Sequence, residues 1–136
     1  MQFPNGVVVR ASRLVDRPRN EGWRTFGIYL DPGWNPTWPA ALVPWEDFGL
    51  PGDWASAAEQ IRRAYALALQ GEHVEIGCLG GLGRTGTVLA CMAILAGVAP
   101  CNAVEWVRAN YDSRAVETDE QASWVMWFAT HLAQDG

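Results

Sequence analysis

One short segment of the chain places a cysteine, an arginine and a threonine where they could act on a phosphate group. Cys78 is followed by five residues and then by Arg84 and Thr85. Glycines among the five let the backbone turn its N–H groups toward phosphate oxygens, and the helix predicted to follow adds partial positive charge at its N-terminus. The residues predicted to contact the phosphate are Leu79, Gly80, Gly81, Leu82 and Gly83.

Each of the three side chains suits one step of phosphoryl transfer. Cys78, beside a helix N-terminus and a guanidinium, is expected to be a thiolate at neutral pH and therefore the nucleophile. Arg84 can grip two phosphate oxygens with its planar fork and follow their charge in the transition state. Thr85 can donate its hydroxyl to the sulfur when the sulfur becomes the leaving group.

Three other interpretations of this segment are weaker. Residues 81–86 match the dinucleotide-binding pattern G-x-G-x-x-G, but no strand–helix–strand unit with a terminal acidic residue follows. The Gly-Lys pair of a nucleotide-binding P-loop is missing. An inert buried thiol is the usual fate of a lone cysteine, yet such a cysteine rarely opens a glycine-rich turn closed by Arg-Thr-Gly.

Transfer of phosphate to sulfur also requires a general acid that protonates the leaving oxygen. Residues 45–51, Trp-Glu-Asp-Phe-Gly-Leu-Pro, lie between a predicted strand and a predicted helix. Asp47 is the candidate acid, and Gly49 and Pro51 suit a hinged loop. Glu46 and Asp53 remain alternatives.

These segments together resemble the protein tyrosine and dual-specificity phosphatases. Residues 78–86 resemble their Cys-x5-Arg loop, and residues 45–51 resemble their Trp-Pro-Asp loop, with Glu46 in place of proline. Residues 115–121 resemble a glutamine-bearing segment that is found in the branch of the cyclin-dependent-kinase-associated and Cdc14-like phosphatases. The resemblance runs over roughly residues 41–133. It implies the fold of that superfamily, a phosphocysteine intermediate, and neither metal nor other cofactor.

Some residues depart from this pattern or have two interpretations. Gly77 precedes the nucleophile where the family usually has histidine, so the thiolate is expected to be less stabilised. By the resemblance Gln121 would bind substrate and position water, but with Thr118 it also forms a capping box. Arg114 could hold substrate or lie on the surface, and Cys91 and Cys101 are expected to be structural.

The fold class predicted for residues 1–136 is a single α/β phosphatase domain, with a small, mainly parallel sheet flanked by helices. An amphipathic helix follows Asp53 and stops near Gly71, a helix apolar on every side spans about 87–96, and Asn102 and Thr118 are predicted to cap two more. The predicted strands cover residues 7–9, 26–30, 41–43 and 73–77.

The composition argues against several classes of partner and binding site. The net charge of −5 argues against a nucleic-acid partner, and no apolar run is long enough to span a membrane. Three cysteines and two histidines favour reduced thiols over disulfides or a metal site, and the N-terminal residues lack a secretory pattern, so a cytoplasmic location is expected. The oligomeric state stays open, with a monomer as the expectation.

The expected partner is a phosphorylated protein. Residues 79–83 carry no cation for additional phosphates, which favours phosphotyrosine or phosphoserine/threonine over multiply phosphorylated inositol lipids. Two rival functions are a pseudophosphatase that binds phosphate without turnover and a rhodanese-type sulfurtransferase, in which Asp47 would have no role. A possible basic rim comprises Arg10, Arg13, Arg17, Arg19 and Arg24.

Overall fold

The computed structural model describes residues 1–13, 23–31, 36, 38–46, 48–80 and 82–131. As the sequence predicts, strands come first along the described chain and are followed by a helix, a further strand and then helices. In chain order the elements are β1 (Arg10–Arg13), β2 (Phe26–Tyr29), β3 (Ala40–Leu42), α1 (Trp54–Leu69), β4 (Val74–Cys78), α2 (Gly83–Leu95), a 3-10 turn (Pro100–Asn102), α3 (Ala103–Asn110) and α4 (Asp119–Thr130).

The sheet has the order β1-β4-β2-β3, and every pair of neighbouring strands in it is parallel. The carboxyl ends of all four strands therefore meet at one edge, where open α/β sheets place their ligands. Strand β4 is buried along its whole length, and its last residue is Cys78. The predicted fold class is confirmed.

The helices pack on the sheet face that carries Val74, Ile76 and Cys78. Helix α2 lies centrally among α1, α3 and α4, and its residues 83–93 are all buried, as its apolar sequence predicts. This burial fixes the helix that follows the phosphate loop.

Most predicted ends of the helices agree with the structure. The Asp53 carboxylate caps α1 by accepting from the backbone N–H of Ser56 at 3.0 Å, and Gly71 after the helix has a φ of 94°. Thr118 caps α4 in the same way through the N–H of Gln121. Asn102 lies at the N-cap position of α3, but its side chain makes no capping hydrogen bond, so this prediction is wrong in its chemistry.

The strand predicted at residues 7–9 is also wrong. A turn at Pro4 and Asn5 folds this segment back on the N-terminus, where Val8 forms an isolated antiparallel bridge with Gln2. Its valines still alternate between buried and exposed, which produced the strand-like pattern. Pairing with β4 begins only at Arg10.

The second face of the sheet carries a buried polar cluster around Glu75. Its carboxylate accepts hydrogen bonds from Ser12 Oγ at 2.7 Å, from Arg24 Nε at 2.9 Å and from the Tyr29 hydroxyl at 2.6 Å. The Arg24 guanidinium lies over the Trp38 ring, and Trp38 Nε1 donates to the Tyr29 hydroxyl. Arg24 is therefore a buried partner of Glu75, and the expectation that it joins a basic rim is wrong.

Gly27 leaves room for one member of this cluster. A Cβ atom at position 27 would overlap the ring of Tyr29, which lies along its own strand to reach Glu75. The glycine is thus needed for space.

Removal of the central carboxylate tests the importance of this cluster. We expect Glu75→Ala to lower the free energy of unfolding by about 3–5 kcal/mol, because it leaves the Arg24 guanidinium buried without its counter-charge. The control Glu59→Ala, on the exposed face of α1, is expected to change it by less than about 0.5 kcal/mol. Urea unfolding at pH 7 measures both, and a Glu75 effect as small as that of the control would contradict the assignment.

The same comparison has a predicted pH dependence. Burial alone would raise the pKa of Glu75, but hydrogen bonds from Arg24, Tyr29 and Ser12 outweigh it and lower the pKa. The stabilisation is therefore full above the pKa of an unfolded glutamate, about 4.3, and is lost as the pH falls through the lower folded pKa. The difference between parent and variant should shrink in that acidic range.

Candidate active site

The nucleophile candidate lies at the carboxyl edge of the sheet, at the junction of β4 and the phosphate loop. Cys78 is 2% exposed, and its Sγ accepts a hydrogen bond from the Thr85 hydroxyl at 2.9 Å. Thr85 is on the first turn of α2, so the loop closes on itself and returns this hydroxyl to the sulfur. The structure brings these two of the predicted catalytic residues within hydrogen-bond distance of each other.

The loop leads directly into α2, whose N-terminus lacks a capping side chain. Leu82 occupies the N-cap position and makes no side-chain hydrogen bond, whereas α1 and α4 are capped by Asp53 and Thr118. An uncapped helix N-terminus presents N–H groups and partial positive charge to an anion. Such an environment suits a bound phosphate.

Arg84 is buried next to Thr85, the hydrogen-bond partner of Cys78, and connects three parts of the fold. It lies on α2, and its Nη1 donates to the backbone carbonyl of Trp45 at 2.8 Å and pairs with Asp31 Oδ1 at 2.8 Å. Trp45 belongs to the predicted acid loop, and Asp31 follows β2. These two acceptors hold one nitrogen of the guanidinium in place.

Contacts between the two ends of the predicted acid loop, residues 45–51, hold those ends together. The buried ring of Trp45 donates its Nε1–H to the Gly49 carbonyl at 2.7 Å, and Trp45 forms a bridge with Pro51. Phe48 has a φ of 59°, a left-handed conformation that is strained for a bulky residue and that clusters at functional sites. Asp47 lies outside the described residues. Asp53 is engaged as the cap of α1, which weakens it as an alternative acid.

Gln121 links the acid loop to the loop before α4. Its side chain is fully buried, its Nε2 donates to the Gly49 carbonyl at 3.2 Å, and its Oε1 accepts from the Glu117 N–H at 2.8 Å. Its capping role with Thr118 is present in part, because its side chain bonds the N–H of Glu117 and not that of Thr118. Its role with water or substrate stays a prediction.

The remaining predicted residues surround this centre. Leu79 is 52% exposed at the mouth of the loop, Gly80 is exposed and Leu82 half-buried, and Gly81 lies outside the described residues. Gly83 is buried under Glu117, whose carboxylate occupies the space that a Cβ at position 83 would fill.

Cys91 lies on α2 and Cys101 in the 3-10 turn, whereas Arg114 lines a cavity together with Phe48 and Leu82. Cys91 is buried in α2, and burial raises the pKa of its thiol, in accord with a structural role. Cys101 is exposed, so the expectation of a structural role is wrong for it. Arg114 is exposed and pairs with Asp112 through its Nε at 3.1 Å. Within the described residues, no three histidine, cysteine, aspartate or glutamate side chains converge as metal ligands would.

Asp31 is the site residue that sequence analysis missed. It opens a stretch of turn residues, which indicated only a loop. The available signal was its position directly after a buried strand, where the carboxyl ends of parallel strands gather functional side chains. The pairing of β2 with β4 then brings it beside the phosphate loop.

Comparison with known proteins identifies the family. Residues 47–126, more than half of the chain, match the model described as the Swiss Army Knife protein, DSP-PTPase phosphatase domain, PTP-SAK. The chain belongs to this phosphatase family. The uncharacterized protein MJECL20 of Methanocaldococcus jannaschii is 44% identical to this chain over 90 residues. The matched segment is 65% of this chain and 58% of that relative. The chain thus spans little more than half the length of that relative.

Solved structures agree with the fold of this PTP-SAK domain. Tk-PTP in its active form aligns with a TM-score of 0.71 at 22% identity, covering 93% of this chain and 90% of that one. The kinase associated phosphatase, KAP, aligns with a TM-score of 0.67 at 23% identity, covering 82% and 71%. The predicted relationship to the dual-specificity phosphatases is confirmed. No helix among the described residues has the length and apolar character needed to cross a membrane.

The role of Asp31 can be tested by substitution. We expect Asp31→Ala to lower kcat/KM for p-nitrophenyl phosphate by about 10- to 100-fold, because a guanidinium that loses this carboxylate no longer meets the phosphate in a fixed position. Asp31→Asn, which keeps an acceptor oxygen without the charge, should fall between this variant and the parent. Glu59→Gln serves as the control, and folded variants with the kcat/KM of the parent would contradict this role.

Proposed function

We propose that this domain is an active protein phosphatase that hydrolyses phosphotyrosine, phosphoserine or phosphothreonine through a phosphocysteine intermediate. The observation that carries the proposal is the contact of Cys78 Sγ with the Thr85 hydroxyl, one residue from the buried guanidinium of Arg84. An inert thiol needs neither the uncapped helix N-terminus nor the arginine. The arrangement suits a sulfur that forms and breaks a bond to phosphorus.

In the first step the Cys78 thiolate attacks phosphorus, a sulfur–phosphorus bond forms, and the bond from phosphorus to the substrate oxygen breaks. The N–H groups at the start of α2 and the Arg84 guanidinium stabilise the charge on the phosphoryl oxygens. Asp47, in its protonated form, supplies the proton that the leaving oxygen needs. The Trp45 carbonyl on Arg84 brings the loop that carries this acid to the phosphate-binding arginine.

In the second step water attacks the phosphocysteine. The Asp47 carboxylate accepts a proton from that water, the sulfur–phosphorus bond breaks, and inorganic phosphate is released. The electron pair returns to Cys78, where the Thr85 hydroxyl donates to the thiolate. Gln121, bonded to the Gly49 carbonyl, is placed at the acid loop where it could orient this water.

The surroundings of the loop support the proposed substrate class. Leu79 and Phe48 are 52% and 58% exposed, and both are apolar, which suits a side chain presented by a protein better than a polyphosphate. The nucleophile must stay reduced, which supports a reducing compartment such as the cytoplasm. The proposed partner is therefore a phosphorylated protein.

Hydrolysis of an aryl phosphate is the direct test of activity. We expect the purified domain to hydrolyse p-nitrophenyl phosphate in the presence of a chelator and to be inhibited by vanadate. Cys78→Ser should reduce turnover below detection, whereas Cys101→Ser, which changes an exposed thiol, should retain it. A folded parent without turnover that still binds phosphopeptides would favour the pseudophosphatase, and turnover of thiosulfate would favour the sulfurtransferase.

The role of Thr85 separates the two steps of the reaction. We expect Thr85→Val to lower kcat by about 10- to 100-fold, since a hydrogen bond to a charged group is worth about 1.5–3 kcal/mol and is lost when sulfur leaves. Valine nearly matches threonine in shape at this fully buried position. Breakdown of the phosphocysteine should become limiting, so rapid-mixing measurements should show a burst of p-nitrophenol. An equal fall in kcat and kcat/KM without a burst would contradict this role.

A further inference from the structure

The segment before α4 places a carboxylate against the phosphate loop. Glu117 is exposed, and its carboxylate occupies the space beside Gly83 that a Cβ atom would take. Gly83 is the first residue of α2 and directly precedes Arg84, the residue proposed to hold the phosphate. A negative charge therefore lies next to the loop that is proposed to bind an anion.

The backbone that carries Glu117 is strained and is held in that conformation by other residues. Val116 has a φ of 59°, a left-handed conformation that is unfavourable for a β-branched residue and that clusters at functional sites. Arg108 donates from Nε to the Ala115 carbonyl at 2.9 Å and from Nη2 to the Val116 carbonyl at 2.7 Å. These two hydrogen bonds fix the path of the chain just before Glu117.

Two further contacts hold this segment against α2. A Cβ atom at Gly86, on the first turn of α2, would lie 2.6 Å from the Cβ atom of Ala115, so this close approach requires glycine. The Gln121 side chain accepts from the backbone N–H of Glu117 at 2.8 Å. The Glu117 carboxylate takes no part in these contacts, and it has no hydrogen-bond or ion-pair partner within the part of the chain that the structure describes. The fold thus fixes the backbone of Glu117 and leaves the charge of its side chain beside the phosphate loop.

The cations closest to Glu117 in the sequence are bound to other groups. Glu117 lines a cavity of about 510 Å³ with Arg108 and Arg114, and the wall of this cavity includes residues of the acid loop and the phosphate loop. Arg108 is used on the two carbonyls described above. Arg114 donates to the Asp112 carboxylate from Nε at 3.1 Å and from Nη2 at 3.2 Å. Neither guanidinium neutralises Glu117 in an ion pair.

We propose that Glu117 is a specificity-determining residue whose charge weakens the binding of a second anionic group beside the phosphate. This inference rests on the proposed phosphatase function. Like charges repel through space without any bond between them, and over distances shorter than a Debye length of about 10 Å this repulsion is only partly screened. The preferred substrates then carry one phosphate among neutral or cationic neighbours, and polyphosphates and acidic phosphopeptides are disfavoured. The same charge lowers the affinity for inorganic phosphate and so favours release of this product.

Inorganic phosphate is the simplest probe of this charge. Its inhibition constant is measured in competition with p-nitrophenyl phosphate. Glu117→Gln, which keeps the shape of the side chain and removes its charge, should lower this constant about three- to tenfold. Damage to the loop would raise the constant, so the direction of the change identifies its cause. The difference should shrink as salt is added. Glu59→Gln, with the same change in net charge on the exposed face of α1, should keep the constant of the parent.

The substrate preference is tested with two phosphotyrosine peptides that differ only in having aspartate or asparagine on both sides of the phosphotyrosine. The measured quantity is the ratio of kcat/KM for the acidic peptide to that for the neutral one, in which effects on the chemical step cancel. The parent is expected to give a ratio of about 0.3, and Glu117→Gln should raise it to about one. Arg114→Gln should change it in the opposite direction, because it removes a positive charge from the same cavity. Thermal unfolding of each variant verifies that it is folded.

An inhibition constant for phosphate that is unchanged or raised in Glu117→Gln would overturn the proposal. A parent that prefers the acidic peptide would overturn it as well. If no phosphomonoester is hydrolysed, the proposed function itself fails. Calorimetric titration of phosphate into Cys78→Ser and into the double variant with Glu117→Gln then tests this inference alone. Tighter binding by the double variant would support it, and equal or weaker binding would exclude it.

Discussion

The shared nitrogen of Arg84 is the contact on which the arrangement of the site depends. A buried guanidinium must be paired, and here one nitrogen serves both the Asp31 carboxylate and the Trp45 carbonyl. The pairing ties the end of β2, the acid loop and the first turn of α2 to a single point. The loop of Trp45, the guanidinium of Arg84 and the thiol of Cys78 therefore cannot be positioned independently, because Arg84 is bonded to Trp45 and its neighbour Thr85 is bonded to Cys78.

The two faces of the sheet support this junction by different physical means. On one face, the fully buried α2 fixes the loop after Cys78 by apolar packing, which tolerates little displacement. On the other face, Glu75 crosslinks β4 to β1 through Ser12 and to β2 through Tyr29. Strand β4 is thus held from both faces and both edges, which suits a catalytic group that must keep a fixed position.

The sequence predicts those parts of the site that lie close together along the chain. The Cys78–Thr85 contact could be inferred, since a seven-residue separation and a glycine-rich turn leave few alternatives. The helix predicted over about 87–96 begins earlier, at Gly83, because its first turn is glycine and polar residues that the apolar pattern does not mark. Asp31 could not, because its contact with Arg84 exists only once β2 pairs in parallel with β4. The pairing of Arg24 with Glu75 was hidden for the same reason, since 51 residues separate them. The valines at residues 7–9 led to a wrong strand prediction, because buried and exposed side chains alternate in this irregular segment as they do in a strand.

Gly27 shows how the buried cluster around Glu75 restricts the substitutions that the chain can accept. Its position within a strand gives no backbone reason for glycine, and the requirement comes from the Tyr29 ring that lies across it. A side chain at position 27 would displace the ring and with it the phenolic donor to Glu75. The two positions can therefore diverge in evolution only as a pair, with a smaller residue at 29 accompanying any residue larger than glycine at 27.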